Sequence, residues 1–315
     1  MSRVAIIGSG FIGRAWAITF ARSGHEVMLW DQDAEAPAAA RDYIAGLLPD
    51  LEANGLLNGH AQQAVLERIK LASTMDDALD GAAHVQENTP ENLDIKKKVF
   101  SALDRLAPKD AVLASSTSAL LPSAFTAHVE GRHRCLVVHP INPPYLVPAA
   151  ELVPAPWTSA ETVERTTALF RSIGQAPLVM KREIDGFIMN RLQGALLEEA
   201  FRLVDDGYAS VEDIDIGIRD GLALRWSFMG PFETIDLNAP AGVRDYVERY
   251  ETIYSGIWPS TQHRANWGGP VLDKIESDRR EKLPAAALKT RQEWRDRRLM
   301  ALIAHKRDIT GKLGS

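Results

Sequence analysis

The sequence predicts an α/β protein, with a doubly wound, mostly parallel sheet over residues 1–185 and an all-α domain over residues 186–315. Three observations carry this. Val4, Ala5, Ile6 and Ile7 run straight into a glycine turn, as a strand buried on both faces does. Strand-like and helical stretches then alternate as far as residue 181, the pattern of parallel strands joined by crossover helices. Beyond Asp185 apolar residues recur only at helical spacing, and no stretch has the character of a strand.

Taken in order, the first unit is strand, turn, helix and strand. Past the turn, Ile12, Trp16, Ile18, Thr19 and Phe20 form one apolar stripe, and Gly24 marks the helix end. A second strand over 25–30 ends on Asp31. Residues 34–57 are rich in alanine and leucine and predict a helix broken near Pro49, with 58–69 as its antiparallel partner. This pair, about 34–69, is longer than a crossover needs and is an insertion. Strands follow at 70–72, 84–87, 111–114 and 134–139, with shorter ones at 150–154 and 178–181. The helices among them are 91–106, with Leu93, Val99, Leu103 and Leu106 on one face, and 160–173, stopped by Gly174. The second domain opens with a long helix over 186–206 whose buried face is Ile188, Leu192, Ala195, Leu196, Phe201, Leu203 and Val204. The Trp-rich stretch 255–270 is expected to be irregular, a covering loop or a subunit contact, with a lid as the less favoured alternative.

Composition excludes several classes. A net charge of −6 argues against nucleic acid or an anionic membrane surface as the main partner. No apolar run approaches the ~20 residues that span a bilayer. Cys135 is the single cysteine, so an intrachain disulfide is impossible, which suits a reducing cytoplasm. The first strand starts by residue 4 and leaves no room for a signal peptide ahead of it. No metal site is expected.

The chemistry starts at Gly8, Gly10 and Gly13, which fit G-x-G-x-x-G, with Phe11 and Ile12 between the last two. The first glycine permits the turn, the second lets backbone approach a pyrophosphate, and the third lets helix pack close on strand. The helix N-terminus offers unpaired N–H groups and partial positive charge to phosphates. Asp31, eighteen residues past Gly13, is placed to accept ribose hydroxyls and to repel a 2′-phosphate. NAD is therefore expected over NADP.

A second block spans residues 115–154. His139 ends an apolar strand and is followed by Pro140, Asn142, Pro143 and Pro144, which stiffen the backbone. Carboxyl ends of strands in a doubly wound sheet face the ligand crevice. Glu151, twelve residues on, can return its carboxylate to the imidazole. A carboxylate-held histidine suits removal of a hydroxyl proton as hydride leaves carbon. Ser118 and Asn142 can hydrogen-bond the reacting oxygen and the cofactor amide; Ser118 is equally readable as the N-cap of a helix over 120–125. Arg225, between Leu224 and Trp226, is either a structural partner of Asp220 or Glu233, or a clamp for a substrate carboxylate.

The segments GSGFIG, ENTPENLDIKK, SSTSALLP, HPINPP, AAELVP and EIDGFIMNRL occur in this order and together resemble the 3-hydroxyacyl-CoA dehydrogenase superfamily over essentially the whole chain. DGLALRWSFMGPFET and RQEWRDRRLM extend the likeness into the second domain, nearest to the lambda-crystallin branch, also described as L-gulonate 3-dehydrogenase. The resemblance implies a Rossmann-type NAD-binding domain, His139 as base, Glu151 as its partner, and Ser118 and Asn190 on the substrate oxygen. It further implies that Asn142 supports the His139 loop, that Glu91 and Lys96 lie along the cofactor, and that the protein is a homodimer. Without it, Glu91 is a helix-start acid and Asn190 a polar residue on a buried helix.

Branches acting on CoA thioesters resemble one another in a lysine-rich insertion. Here residues 41–70 hold Arg41, Arg68 and Lys70 against Asp42, Asp50, Glu52 and Glu67, which is net −1. The expected substrate is accordingly a small free 3-hydroxy acid of L-gulonate type. A 3-hydroxybutyryl-CoA-type dehydrogenase, a carnitine dehydrogenase and a crystallin-like structural role stand as alternatives.

Overall fold

A computed structural model describes residues 2–265 and 267–314, and leaves the side chains of Trp258, Pro259, Ser260 and Leu313 undescribed. Eight strands form one sheet: β1 (Arg3–Ile7), β2 (Glu26–Trp30), β3 (Ile69–Leu71), β4 (Ala82–Glu87), β5 (Val112–Ser115), β6 (Cys135–Pro140), β7 (Ala149–Pro154) and β8 (Ala176–Val179). Their order is β3-β2-β1-β4-β5-β6-β7-β8. All neighbours are parallel except β6 and β7. The order reverses between β1 and β4, where a doubly wound sheet opens a crevice at its carboxyl edge.

Helices cover both faces, which explains the unbroken apolar run in β1. Val4 and Ile6 join one core with α1 (Phe11–Ala21), α2 (Ala36–Ala53) and a short α3 (Gln62–Glu67). Ala5 and Ile7 join the other, with α4 (Met75–Leu79), α5 (Leu93–Leu106) and α6 (Pro122–Thr126). Side chains alternate between faces at a period of two, so a strand with two covered faces has no polar positions to spare. Helix α7 (Ala160–Ser172) adds Phe170 to the first core.

The insertion departs from expectation. Helix α2 runs through Pro49 without a break, because Ile44, Leu48 and Leu51 are all buried on its inner face. Their packing offsets the ~3 kcal/mol that an interior proline costs. The expected partner helix over 58–69 shrinks to the six residues of α3.

Two compact units emerge: residues 1–189 with 293–312, and residues 190–292 with 313–315. The expected boundary at 185 put everything after it in one helical domain. The last helix instead returns to the first unit, where Met300 is fully buried and Leu299 and Ile303 pack on the first core.

The remaining helices are α8 (Met189–Asp205), α9 (Val211–Ile216), α10 (Ala223–Trp226), α11 (Pro231–Leu237), α12 (Val243–Thr261), α13 (Gly269–Lys282) and α14 (Leu288–Leu313). A π-helical stretch, Gly217–Leu222, joins α9 to α10. Among the described residues no strand follows β8. No helix among the described residues is long and apolar enough to cross a membrane.

Two expectations for this region are corrected. Helix α8 starts at Met189 rather than 186, because Gly186 and Phe187 are left-handed, with φ of 76° and 49°. Its predicted buried face is largely open in the single chain: Leu192 is 63 % exposed and Leu196 39 %, while Val204 is buried. Periodicity marks an apolar face but not what covers it. The stretch 255–270 is helical as far as Thr261, within α12, and Asn266 lies outside the described residues. Trp267 stacks on Phe201 at 4.6 Å and donates to Glu198 at 2.8 Å, both within the second unit.

Candidate active site

The glycine turn has the geometry that a dinucleotide needs. Gly8 has φ of 93°, and a Cβ there would stand 2.8 Å from the Asn88 carbonyl. A Cβ on Gly13 would fall 1.8 Å from the Gly8 carbonyl, so only glycine lets α1 approach β1 this closely. A Cβ on Gly10 would meet nothing within 4 Å. That position is open, as required where a ligand approaches the backbone. Gly10 is also the N-cap of α1 and supplies no side chain to the first-turn amides, and Phe11 beside it is exposed. Those amides remain available to an anion. Asp31 is already oriented: its Oδ2 accepts from Ser9 N at 2.6 Å and Ser9 Oγ at 3.0 Å, and its Oδ1 from Asp33 N at 3.1 Å. A carboxylate has about four lone-pair sites, so acceptor capacity is left for a ribose.

Beside this turn lies a cavity of about 240 Å³. Ile12, Glu91, Lys96, Ser118, His139 and Asn142, scattered over 130 positions of sequence, all line it. Glu151 stands behind His139, its nearest oxygen 2.7 Å from Nδ1. The cause is register, since β6 and β7 are antiparallel and place His139 directly opposite Glu151. The other oxygen of Glu151 accepts from the backbone N–H groups of Ile188 at 2.7 Å and Met189 at 2.8 Å. The left-handed Gly186 and Phe187 turn those amides toward it, and the buried Phe187 ring lies 5.7 Å from the imidazole. Glu151 is fully buried and has both oxygens occupied, so it holds the ring in one orientation with Nδ1 as donor. Nε2 is left for the cavity.

Ser118 sits beyond β5 and is exposed, but it caps no helix; the N-cap of α6 is Leu121. Glu91 is not a helix-start acid either, because Asn92 caps α5. Its carboxylate accepts from Thr117 Oγ1, from Ser118 N at 3.2 Å and from Ala119 N at 3.1 Å, which ties down the loop carrying Ser118. Lys96 is almost fully buried, with its ammonium surrounded by both Glu87 oxygens and the Thr89 carbonyl, each at 3.0 Å. Three acceptors match the three ammonium donors. Lys96 thus props the Thr89 loop.

Sequence reasoning missed Glu87 and the polar floor around it. Glu87 is fully buried and also accepts from Ser115 Oγ at 2.5 Å and Thr89 N at 2.6 Å. Its signal was its place at the carboxyl end of β4. Next to it, Ser116 Oγ receives N–H bonds from Trp16 at 3.0 Å and Gln86 at 2.7 Å and donates to Asn88 at 2.8 Å. Gln86 leads inward to His84, 3.0 Å away, whose imidazole burial pushes down to about 4. Cys135 is buried and burial pushes its thiol up to about 12, so it is no nucleophile.

Asn190 and Arg225 belong to the second unit. Asn190 follows Met189 directly, in the first turn of α8. Arg225 lines a cavity of about 480 Å³ with Gly217, Gly221, Leu222, Leu224 and Phe228, around the π-helical stretch. Its Nε is buried without a partner. Asp220, one of its two expected structural partners, pairs with Arg219 at 2.7 Å.

Comparison with known proteins places the chain in a family. Residues 3–184 match the 3-hydroxyacyl-CoA dehydrogenase NAD binding domain, and residues 186–265 the C-terminal domain of that family. Lambda-crystallin homolog of Bos taurus is 42% identical over 312 residues, covering 97% of this chain and 96% of its own. L-carnitine dehydrogenase of Pseudomonas aeruginosa is 35% identical, covering 98% and 95%. A solved 5-formyl-3-hydroxy-2-methylpyridine 4-carboxylic acid 5-dehydrogenase, described as an NAD+ dependent dismutase, superposes with a TM-score of 0.83 at 28% identity and covers 99% of both chains. The chain belongs to the 3-hydroxyacyl-CoA dehydrogenase family and is an NAD-dependent oxidoreductase.

Proposed function

We propose that this enzyme oxidises the 3-hydroxyl of a small free hydroxy acid of L-gulonate type to the 3-keto acid. The observation that carries the reading is the His139–Glu151 pair, 2.7 Å apart, at the wall of the cavity beside the glycine turn. When bound, NAD supplies the hydride acceptor. His139 takes the hydroxyl proton on Nε2, and Glu151 stabilises the imidazolium that forms. Ser118 and Asn190 hold the substrate oxygen, and Asn142 supports the His139 loop. The oxidation would balance with NAD, held by the Gly8–Gly13 turn and Asp31, as hydride acceptor, while the hydroxyl proton goes to His139 Nε2.

The free acid is favoured over a CoA thioester on two grounds. Residues 41–70 of the insertion region are net −1 and offer no lysine cluster to a nucleotide tail. Arg225 has an unpartnered Nε in an apolar-walled cavity, which suits bidentate binding of a carboxylate. A homodimer through the helical unit and a cytoplasmic location belong to the same reading; open apolar positions on α8 and a free buried thiol support them.

The deciding assay is NADH formation with L-gulonate, L-3-hydroxybutyrate, carnitine and 3-hydroxybutyryl-CoA. The free acids are expected to turn over, and Arg225→Met to lower their kcat/KM ~30-fold or more, the loss when one member of a charge pair is removed. NAD affinity and Tm should hardly move. Preference for the CoA ester, or no turnover of any substrate, would replace this reading with the thioester or structural alternative.

A further inference from the structure

A second cavity, of about 350 Å³, opens at the other end of α1 and shares no residue with the site above. Ile12 and Arg22 are ten residues apart on that helix and its cap, about 15 Å along its axis. Three cations line it, Arg22, Lys306 and Arg307, and no acid does. Arg22 is 3 % exposed, yet its Nε has no hydrogen-bond partner; NH1 donates to the Leu56 carbonyl at 3.2 Å. Burial and then the charge of Arg307 push its guanidinium down to about 10. Among the described residues the Arg307 side chain donates to the Asn58 side chain alone, at 3.5 Å. Among the described residues no carboxylate pairs with any of the three.

A buried cation without a counterion is expensive, and two more cations beside it add repulsion. Evolution tolerates such an arrangement where a ligand supplies the missing charge. Pro144, Leu146 and Ile303 complete the walls with apolar surface. We propose that this cavity binds a small organic or inorganic oxyanion carrying two or more negative charges, held by Arg22, Lys306 and Arg307. Arg22 caps α1, whereas Lys306 and Arg307 come from α14. The anion therefore clips the C-terminal helix to the dinucleotide-binding unit, and its occupancy stabilises the fold.

The test uses the full chain in saturating NADH, so that the α1 N-terminus is not the site being measured. Inorganic phosphate and citrate are titrated by calorimetry against chloride of equal ionic strength, with Tm followed in parallel. One site per chain is expected for phosphate, citrate or both, with a Tm rise of about 2 °C at ten times Kd. Lys306→Ala/Arg307→Ala should weaken binding at least tenfold and abolish the shift, leaving NADH affinity unchanged. Arg307→Gln, at an exposed position, serves if the double variant does not fold. Absence of binding by either anion, or binding that survives these substitutions, would overturn the proposal.

Discussion

Glu151→Gln is the sharpest probe of the proposed base. The carboxylate has two different jobs, one per oxygen. Oε1 accepts from two backbone amides at 2.7 and 2.8 Å, and Oε2 accepts from His139 Nδ1 at 2.7 Å. A glutamine in the same place has one acceptor and one donor. Its oxygen must face the two amides, since an NH2 there would set donors against donors. The NH2 then faces Nδ1, which can only respond as an acceptor, and the ring proton moves to Nε2. An imidazole protonated on Nε2 cannot take a hydroxyl proton. The expected loss in kcat is ~10²–10⁴-fold, as for general-base loss through the wrong tautomer. That corresponds to about 3–5 kcal/mol of barrier. Stability should change by no more than ~1 kcal/mol, because the buried amides keep their acceptor. Glu151→Ala, by contrast, strands three donors and should lower Tm markedly. The assay is steady-state NADH formation at saturating substrate, with NADH binding by fluorescence and Tm alongside. His139→Gln should match Glu151→Gln within about tenfold. A Glu151→Gln enzyme retaining a third of its kcat, or one whose loss follows weakened NADH binding, would refute the tautomer argument and move the base elsewhere.

Three further outcomes are expected. Gly13→Ala and Gly10→Ala should fail differently: the first, driven into the Gly8 carbonyl, should destabilise by ~1–3 kcal/mol or more, while the second keeps its Tm and loses NAD affinity; equal Tm losses would contradict the assigned roles. Asp31→Ser with an added nearby arginine should relax the preference for NAD over NADP at least tenfold, measured as the ratio of kcat/KM values, and also weaken NAD because Ser9 N–H loses its acceptor; a wild type that uses NADP equally well would void the charge argument. His84 is neutral in the fold down to about pH 4, whereas the unfolded chain protonates it from about 6.5. Between those values the unfolded state binds more protons, so falling pH should remove about 3 kcal/mol of stability, and His84→Asn should flatten the urea-stability profile in that window by about one proton.

The dinucleotide half of this protein was legible in the sequence because its determinants are local. A glycine turn, a helix start and an acid at the end of the next strand lie within 28 residues, and each follows from backbone sterics or charge at that position. His139 and Glu151 were legible as candidates for a related reason: a strand end, a stiff proline loop and a return strand confine where their side chains can go. Other features depended on contacts between distant segments. The left-handed Phe187 that turns two amides onto Glu151, the burial of Lys96 against Glu87, and the capping of the Ser118 loop by Glu91 arise only when β4, β5, β6 and β7 stand side by side. Periodicity identified α8 as amphipathic but could not say that Leu192 stays open, and propensity broke α2 at Pro49 where packing of Leu48 and Leu51 keeps it continuous. Nor could spacing bring Arg22 to Lys306 across 284 residues. Local chemistry declares itself along the chain; whether a charge is neutralised, buried or left waiting depends on which remote segment folds against it.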